Sequence, residues 1–296
     1  MKVLQAMFLG LVQGLTEFLP VSSSGHLAIF KYLFGWGDVG IGFDVLLHLG
    51  TLIAVFAVYY KDIWKLIVSV VQIIISLCKN LGRLFRRIGK TDEYKRTIPY
   101  EKVITTTGRL FALMVVISSI PVAIAGFFLE SYVEAFSAGL LVPGICLFVT
   151  GVLLILAETV PEGRKSIKNM SIKDALLIGC AQACAIMPGL SRSGCTISAS
   201  LMVGLKKNTA VKYSFIMSIP AILGAALKTF LDILGGETMG DMGAPACILG
   251  MAVAAVVGYF AIRLMLNVVK KKKFRYFSVY CFIVGAVAII GYFVTR

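Results

Sequence analysis

The sequence predicts an all-α polytopic membrane protein, with six transmembrane helices plus two re-entrant helical hairpins in an inverted-topology repeat. Three observations predict it. Apolar residues make up 58% of the 296-residue chain and charged residues only 15%, against about 45–50% and about 25% in a soluble domain. The apolar residues gather in runs of spanning length, and mean hydropathy is +0.90. Basic residues collect in alternate connections between those runs.

A helix needs about 20 apolar residues to cross a bilayer. Six segments qualify: 42–60, 109–129, 138–158, 212–234, 245–266 and 276–294. Two further apolar regions are broken by proline. Residues 3–19 stop at Pro20 and are followed by a short run, 26–34; residues 174–187 stop at Pro188 and are followed by 195–204. Each region, 3–34 and 174–204, reads as a half-helix, a polar turn and a second half-helix. Such a hairpin enters the membrane and returns on the same side, which is tolerated where the turn is buried in protein or lines a wet cavity. Residues 63–78 either lie at the inner surface or extend the preceding span. Lys2 ahead of an apolar run loosely suggests a leader peptide, but Gln13 and Glu17 interrupt the run and no A-x-A site follows.

Charge orients this plan. Lys and Arg crowd 61–109, 159–173, 205–212 and 267–275, whereas 36–41, 130–137 and 235–244 contain none. The positive-inside rule then puts the basic loops in the cytoplasm and both termini outside. The net charge of +14 becomes a topology and anionic-lipid signal, and a nucleic-acid partner is set aside. Seven scattered cysteines without a C-x-x-C read as buried small hydrophobes.

One membrane domain, 1–296, thus divides into a first repeat, 1–158, and a second, 174–296, each a hairpin followed by three spans. "GLVQGLTEFLPVSSSGHL" from Gly10 and "GCAQACAIMPGLSRSGCT" from Gly179 agree weakly. Gln13 matches Gln182, Ser23 matches Arg192 and Gly25 matches Gly194. Such repeats are common in transporters with a mid-membrane site.

The turns carry the chemistry. Ser22, Ser23 and Ser24 with Gly25, and Ser191 and Ser193 with Gly194, open the second half-helices, whose N-termini favour anions. Arg192 adds a planar fork suited to phosphate oxygens. Glu17, one helical turn from Gln13, is a candidate general base or ligand for a divalent cation. His26 is a candidate to deprotonate a serine, attack phosphorus or protonate a leaving group. The competing reading is structural: serines that cap, and a Glu17–Arg192 ion pair with His26 as a bystander. His48 in "FDVLLHLGT" lines the cavity or packs helices. Asp44, Glu158, Lys228, Asp232 and Arg263 lie near span ends, where long side chains snorkel.

"QGLTEFLPVSSSGH" and "PGLSRSG" resemble the two signature motifs of the bacterial undecaprenyl-diphosphate phosphatases of the bacitracin-resistance type. The resemblance covers essentially the whole chain. The family's serine and histidine fall on Ser23 and His26 and its arginine on Arg192, which with Glu17 are the expected catalytic residues, and from the reading of the turns above Gln13, Ser22, Ser24, Gly25, Ser191, Ser193 and Gly194 are the expected substrate contacts. The resemblance further implies a divalent metal such as Mg or Ca at Glu17, and a site opening to the outer face. The implied reaction turns undecaprenyl diphosphate into undecaprenyl phosphate and inorganic phosphate, recycling the carrier for peptidoglycan synthesis and giving bacitracin resistance. Gln13 stands where the motif takes Glu or Gln, which leaves one carboxylate fewer for metal. Expected partners are the polyprenyl diphosphate lipid and membrane lipids, with a homodimer also compatible. The alternative is a transporter or flippase of the polyprenyl phosphate carrier using the same site.

Overall fold

A computed structural model describes residues 2–36, 39–137, 139–235, 242–271 and 273–295. Its helices are α1 (Lys2–Phe18), α2 (Ser23–Leu33), α3 (Ile41–Arg87), α4 (Asp92–Thr97), α5 (Thr107–Ser137), α6 (Leu141–Thr159), α7 (Ile172–Cys184), α8 (Arg192–Met202), α9 (Lys207–Leu234), α10 (Ala244–Lys270) and α11 (Phe274–Val294). Among the described residues there is no strand, only an isolated bridge between Lys165 and Leu205. Six helices, α3, α5, α6, α9, α10 and α11, are long and apolar enough to cross a membrane. They coincide with the six expected spans. Their outward faces remain apolar: Val116, Ile120, Ile124 and Phe127 of α5 are all exposed. A soluble protein rarely leaves so long an apolar stripe open.

One open alternative of the sequence reading is decided and one boundary differs. The segment 63–78 continues the first span, since α3 runs to Arg87 and is interrupted only by the non-helical backbone of Tyr59. At about 1.5 Å per residue α3 is about 70 Å long, more than twice a hydrocarbon core of about 30 Å. Helical propensity continues through Lys and Arg, so charge ends the apolar layer without ending the helix. The expected connection 130–137 is likewise the last part of α5. The expected connections 36–41 and 235–244 lie partly outside the described residues.

Two pairs of short helices, α1 with α2 and α7 with α8, occupy the segments where hairpins were expected, and each pair is termed a hairpin. α1 stops ahead of Pro20, and α2 begins at an Ser22 cap; α7 ends before Pro188, and α8 begins at an Ser191 cap. A residue before proline avoids the helical region, so each break is written locally. The first helix of each pair lies on a long apolar helix, α1 on α10 and α7 on α5. Glycines allow it. A Cβ on Gly10 would sit 2.3 Å from the Gly250 carbonyl oxygen, and one on Gly179 would sit 2.5 Å from that of Ser118. Close approach of this kind replaces the hydrophobic drive that lipid removes.

The two turns meet in the interior. A Cβ on Gly25 would lie 2.9 Å from Gly189 Cα. The Gly189 amide donates to Ser24 Oγ at 3.4 Å, and Ser193 Oγ donates to the Leu19 carbonyl at 3.2 Å. Helix α6 backs the second turn, where Thr150 Oγ1 accepts from the Ser191 amide at 3.0 Å. Gly189 has φ +90, and a Cβ there would strike Pro143 O at 2.3 Å. Only glycine fits that position without strain.

Gly10→Val and Gly179→Val should each lower the melting temperature in detergent, since overpacking costs about 1–3 kcal/mol. Gly82 lies in a helix with nothing near its missing Cβ, so Gly82→Ala should melt at or above the wild type. A Gly10→Val protein that melts like wild type would show that α1 and α10 are not in backbone contact.

Candidate active site

Ser22 and Ser191 build the two turns in the same way. Ser22 Oγ accepts from the Gly25 amide at 3.2 Å and lies 3.3 Å from Ser24 Oγ. Ser191 Oγ accepts from the Gly194 amide at 3.0 Å and lies 3.3 Å from Ser193 Oγ. Each cap satisfies one first-turn amide, in a turn whose other amides have no partner within the helix. Ser22 adopts φ 68, the one described non-glycine residue at positive φ. Such backbone costs about 1–3 kcal/mol and persists where surrounding structure demands it.

Glu17 is the hub of the junction and is 5% exposed. A buried carboxylate needs partners. One oxygen, Oε1, is bound by Arg192 Nη2 from the opposite hairpin. The other, Oε2, accepts from Ser23 Oγ at 2.6 Å and Gln13 Nε2 at 3.0 Å. His48 Nε2 stands 3.6 Å from the same oxygen. Arg192 Nη1 and Gln13 Oε1 are buried without a hydrogen-bond partner.

The structure thus joins four of the expected residues, Gln13, Glu17, Ser23 and Arg192, in direct contact. Ser22, Ser24, Gly25, Ser191, Ser193 and Gly194 form the turns around them. His26 is placed differently from the serine-activating role considered for it. Its Nδ1 donates to the Ser22 carbonyl at 2.7 Å, which leaves Nε2 to accept from Tyr280 Oη at 2.7 Å. The two rings stack with centroids 5.5 Å apart. Tyr280 was not foreseen: on an apolar span it reads as one more aromatic, and no local signal ties it to a residue 254 positions away. Of the span-end charges, Lys228 pairs with Asp232 at 3.0 Å and Asp44 with Lys31 at 2.7 Å, while Glu158 accepts from the Arg275 amide and Arg263 lies over the Tyr259 ring. Among the described residues no three His, Cys, Asp or Glu side chains are grouped to hold a metal on their own.

Comparison with known proteins identifies the family. Residues 6–287 match the family model described as "Bacitracin resistance protein BacA", a stretch that includes both hairpins and their tips. An undecaprenyl-diphosphatase of Methanobrevibacter smithii is 41% identical over 98% of both chains. One from Alkaliphilus metalliredigens is 40% identical, again over 98% of both. One from Bacteroides thetaiotaomicron is 39% identical over 98% of this chain and 99% of its own. The chain belongs to the bacitracin resistance protein BacA family.

Proposed function

We propose that the chain hydrolyses undecaprenyl diphosphate to undecaprenyl phosphate and inorganic phosphate, recycling the lipid carrier of peptidoglycan synthesis and so conferring bacitracin resistance. The observation that carries this reading is the Glu17–Arg192 contact with Ser23 on the same carboxylate, in a chain whose relatives are undecaprenyl-diphosphatases. Phosphoryl transfer is mainly a matter of positioning and electrostatic stabilisation. Arg192 keeps Nη2 on Glu17 and has Nη1 free for a phosphate oxygen. The opposed N-termini of α2 and α8 add further N–H donors. Ser23 Oγ attacks the terminal phosphorus and its proton passes to Glu17 Oε2 along the existing hydrogen bond. The bridging P–O bond breaks, and its electron pair stays on the lipid monophosphate. Water then cleaves the phosphoseryl ester. A transporter reading gains no support from this geometry or from the relatives.

The residues also fit a divalent cation carried in by the diphosphate. Glu17 and the unpartnered Gln13 Oε1 would hold it, and it would neutralise phosphate charge. Mg²⁺ is commonly held by one or two carboxylates plus substrate phosphates.

The same proposal extends to architecture. Residues 1–158 and 174–296 form inverted repeats whose hairpins re-enter the membrane, with the basic loops cytoplasmic and the site opening outward. Three matches support it. The caps correspond bond for bond, the close-packed Gly10 corresponds to Gly179, and the packing of α1 on α10 corresponds to that of α7 on α5.

Purified protein should release phosphate from a C55 isoprenoid diphosphate in detergent, and a chelator should slow it. Ser23→Ala and Arg192→Ala should each lower kcat by about 100-fold or more. Undiminished turnover in Ser23→Ala would remove that serine from the mechanism. Breaking a buried ion pair from one side costs about 3–5 kcal/mol. Glu17→Gln and Arg192→Gln should therefore each lower thermal stability, and the double variant should lose clearly less than their sum. Additive losses would mean that the pair does not couple the two hairpins.

A further inference from the structure

The chain contains two histidines, and the fold brings both to the hairpin tips in unequal circumstances. His26 is 4% exposed, and both of its ring nitrogens are engaged, by the Ser22 carbonyl and by Tyr280. Those two contacts hold its ring in place. His48 comes from the second turn of α3. Its Nδ1 donates to the Asp44 carbonyl at 2.8 Å, so in the neutral ring the lone pair lies on Nε2. That nitrogen faces Glu17 Oε2 at 3.6 Å, too far for a direct hydrogen bond and a separation at which a bridging water is the first thing to consider. The side chain of His48 is 33% exposed, against 17% for Arg192 and 4% for Glu17. It is therefore the more open side of the hub.

The imidazole is also fixed from behind. The Asp44 carboxylate is gripped by Lys31 of α2 at 2.7 and 2.8 Å. Thr51 Oγ1 donates to the His48 carbonyl at 2.8 Å. A Cβ on Gly50 would come within 2.4 Å of the Met251 carbonyl oxygen, so α3 lies against α10 at this level.

We propose that His48 is the catalytic histidine of the second half-reaction, orienting and deprotonating the water that cleaves the phosphoseryl ester, while His26 only positions. This rests on the phosphoseryl reading given above. The water donates to His48 Nε2, and its oxygen forms the new bond to phosphorus. The P–Oγ bond breaks, its electron pair returns to Ser23 Oγ, and Glu17 gives back the proton it took in the first step. His48 releases its proton as inorganic phosphate leaves.

The test is a single-turnover and steady-state comparison of wild type and His48→Gln on a C55 isoprenoid diphosphate, with intact-mass analysis of the protein. Steady-state turnover should fall by about 100- to 10,000-fold. A burst of about one lipid monophosphate per protein should remain, with the phosphoryl group retained on Ser23. Melting at the wild-type temperature would show that His48→Gln is folded. As a second measurement, diethyl pyrocarbonate should modify His48 before His26 in the wild type, and the modified enzyme should show the same burst. Turnover of His48→Gln near the wild-type rate, or slow turnover without a phosphoserine, would overturn the role of His48 and leave the phosphatase standing. A wild type that releases no phosphate, or a Ser23→Ala protein that does, would overturn the reading beneath it as well.

Discussion

A carboxylate withdrawn from water must be given partners, and the rest of this architecture depends on how Glu17 finds them. Arg192 reaches it from the other hairpin, Ser23 and Gln13 from its own, and His48 stands across from it on the first long span. Three separate stretches of chain must therefore be held in register to within an ångström or so. An unpaired charge at this depth would cost several kcal/mol. The ion pair is consequently both a fastening between the hairpins and the place where charge is concentrated for a charged substrate. These two uses are compatible because Arg192 spends only Nη2 on Glu17 and leaves Nη1 over.

Short helices are poor anchors on their own, and α2 and α8 have only 11 residues each. Their stability is borrowed from packing. Gly10, Gly14 and Gly179 let the first arms press against the backbone of α10 and α5, where dispersion and weak polar contacts act at short range. At the tips, Gly25 lets the first turn approach Gly189 of the second, and Gly189 in turn lets the second turn lie against Pro143 of α6. Small residues outside the site thus determine whether the polar groups inside it can meet.

Much of this was legible in the sequence because it is encoded locally. Pro20 and Pro188 mark the breaks, Ser22 and Ser191 mark the restarts, and spanning runs are defined by length and apolarity alone. The meeting of Glu17 with Arg192, 175 residues apart, was inferable from the cost of leaving either charge alone in hydrocarbon. That 63–78 could extend the first span was legible, but the reach of α3 to Arg87 was not, because apolarity stops where the membrane stops while helical hydrogen bonding continues. The pairing of His26 with Tyr280 was also hidden, since nothing in either neighbourhood specifies the other. His48 was visible as a polar residue in a span, but only the fold shows which face of α3 it occupies.

In the proposed repeat, the positions that agree and the positions that differ have separate jobs. Gly10 and Gly179, Gln13 and Gln182, Ser22 and Ser191, and Gly25 and Gly194 agree, and these residues pack arms or shape turns. Glu17 falls opposite Ile186, Ser23 opposite Arg192 and His26 opposite Cys195. A pseudo-symmetric scaffold supplies two opposed helix N-termini, which suit an anion but do not distinguish one end of a diphosphate from the other. Attack on the terminal phosphorus needs that distinction. In the proposed mechanism it is provided by putting the carboxylate and hydroxyl on one turn and the guanidinium on the other, so that the shared helix N-termini hold the anion and the unshared residues give it a direction.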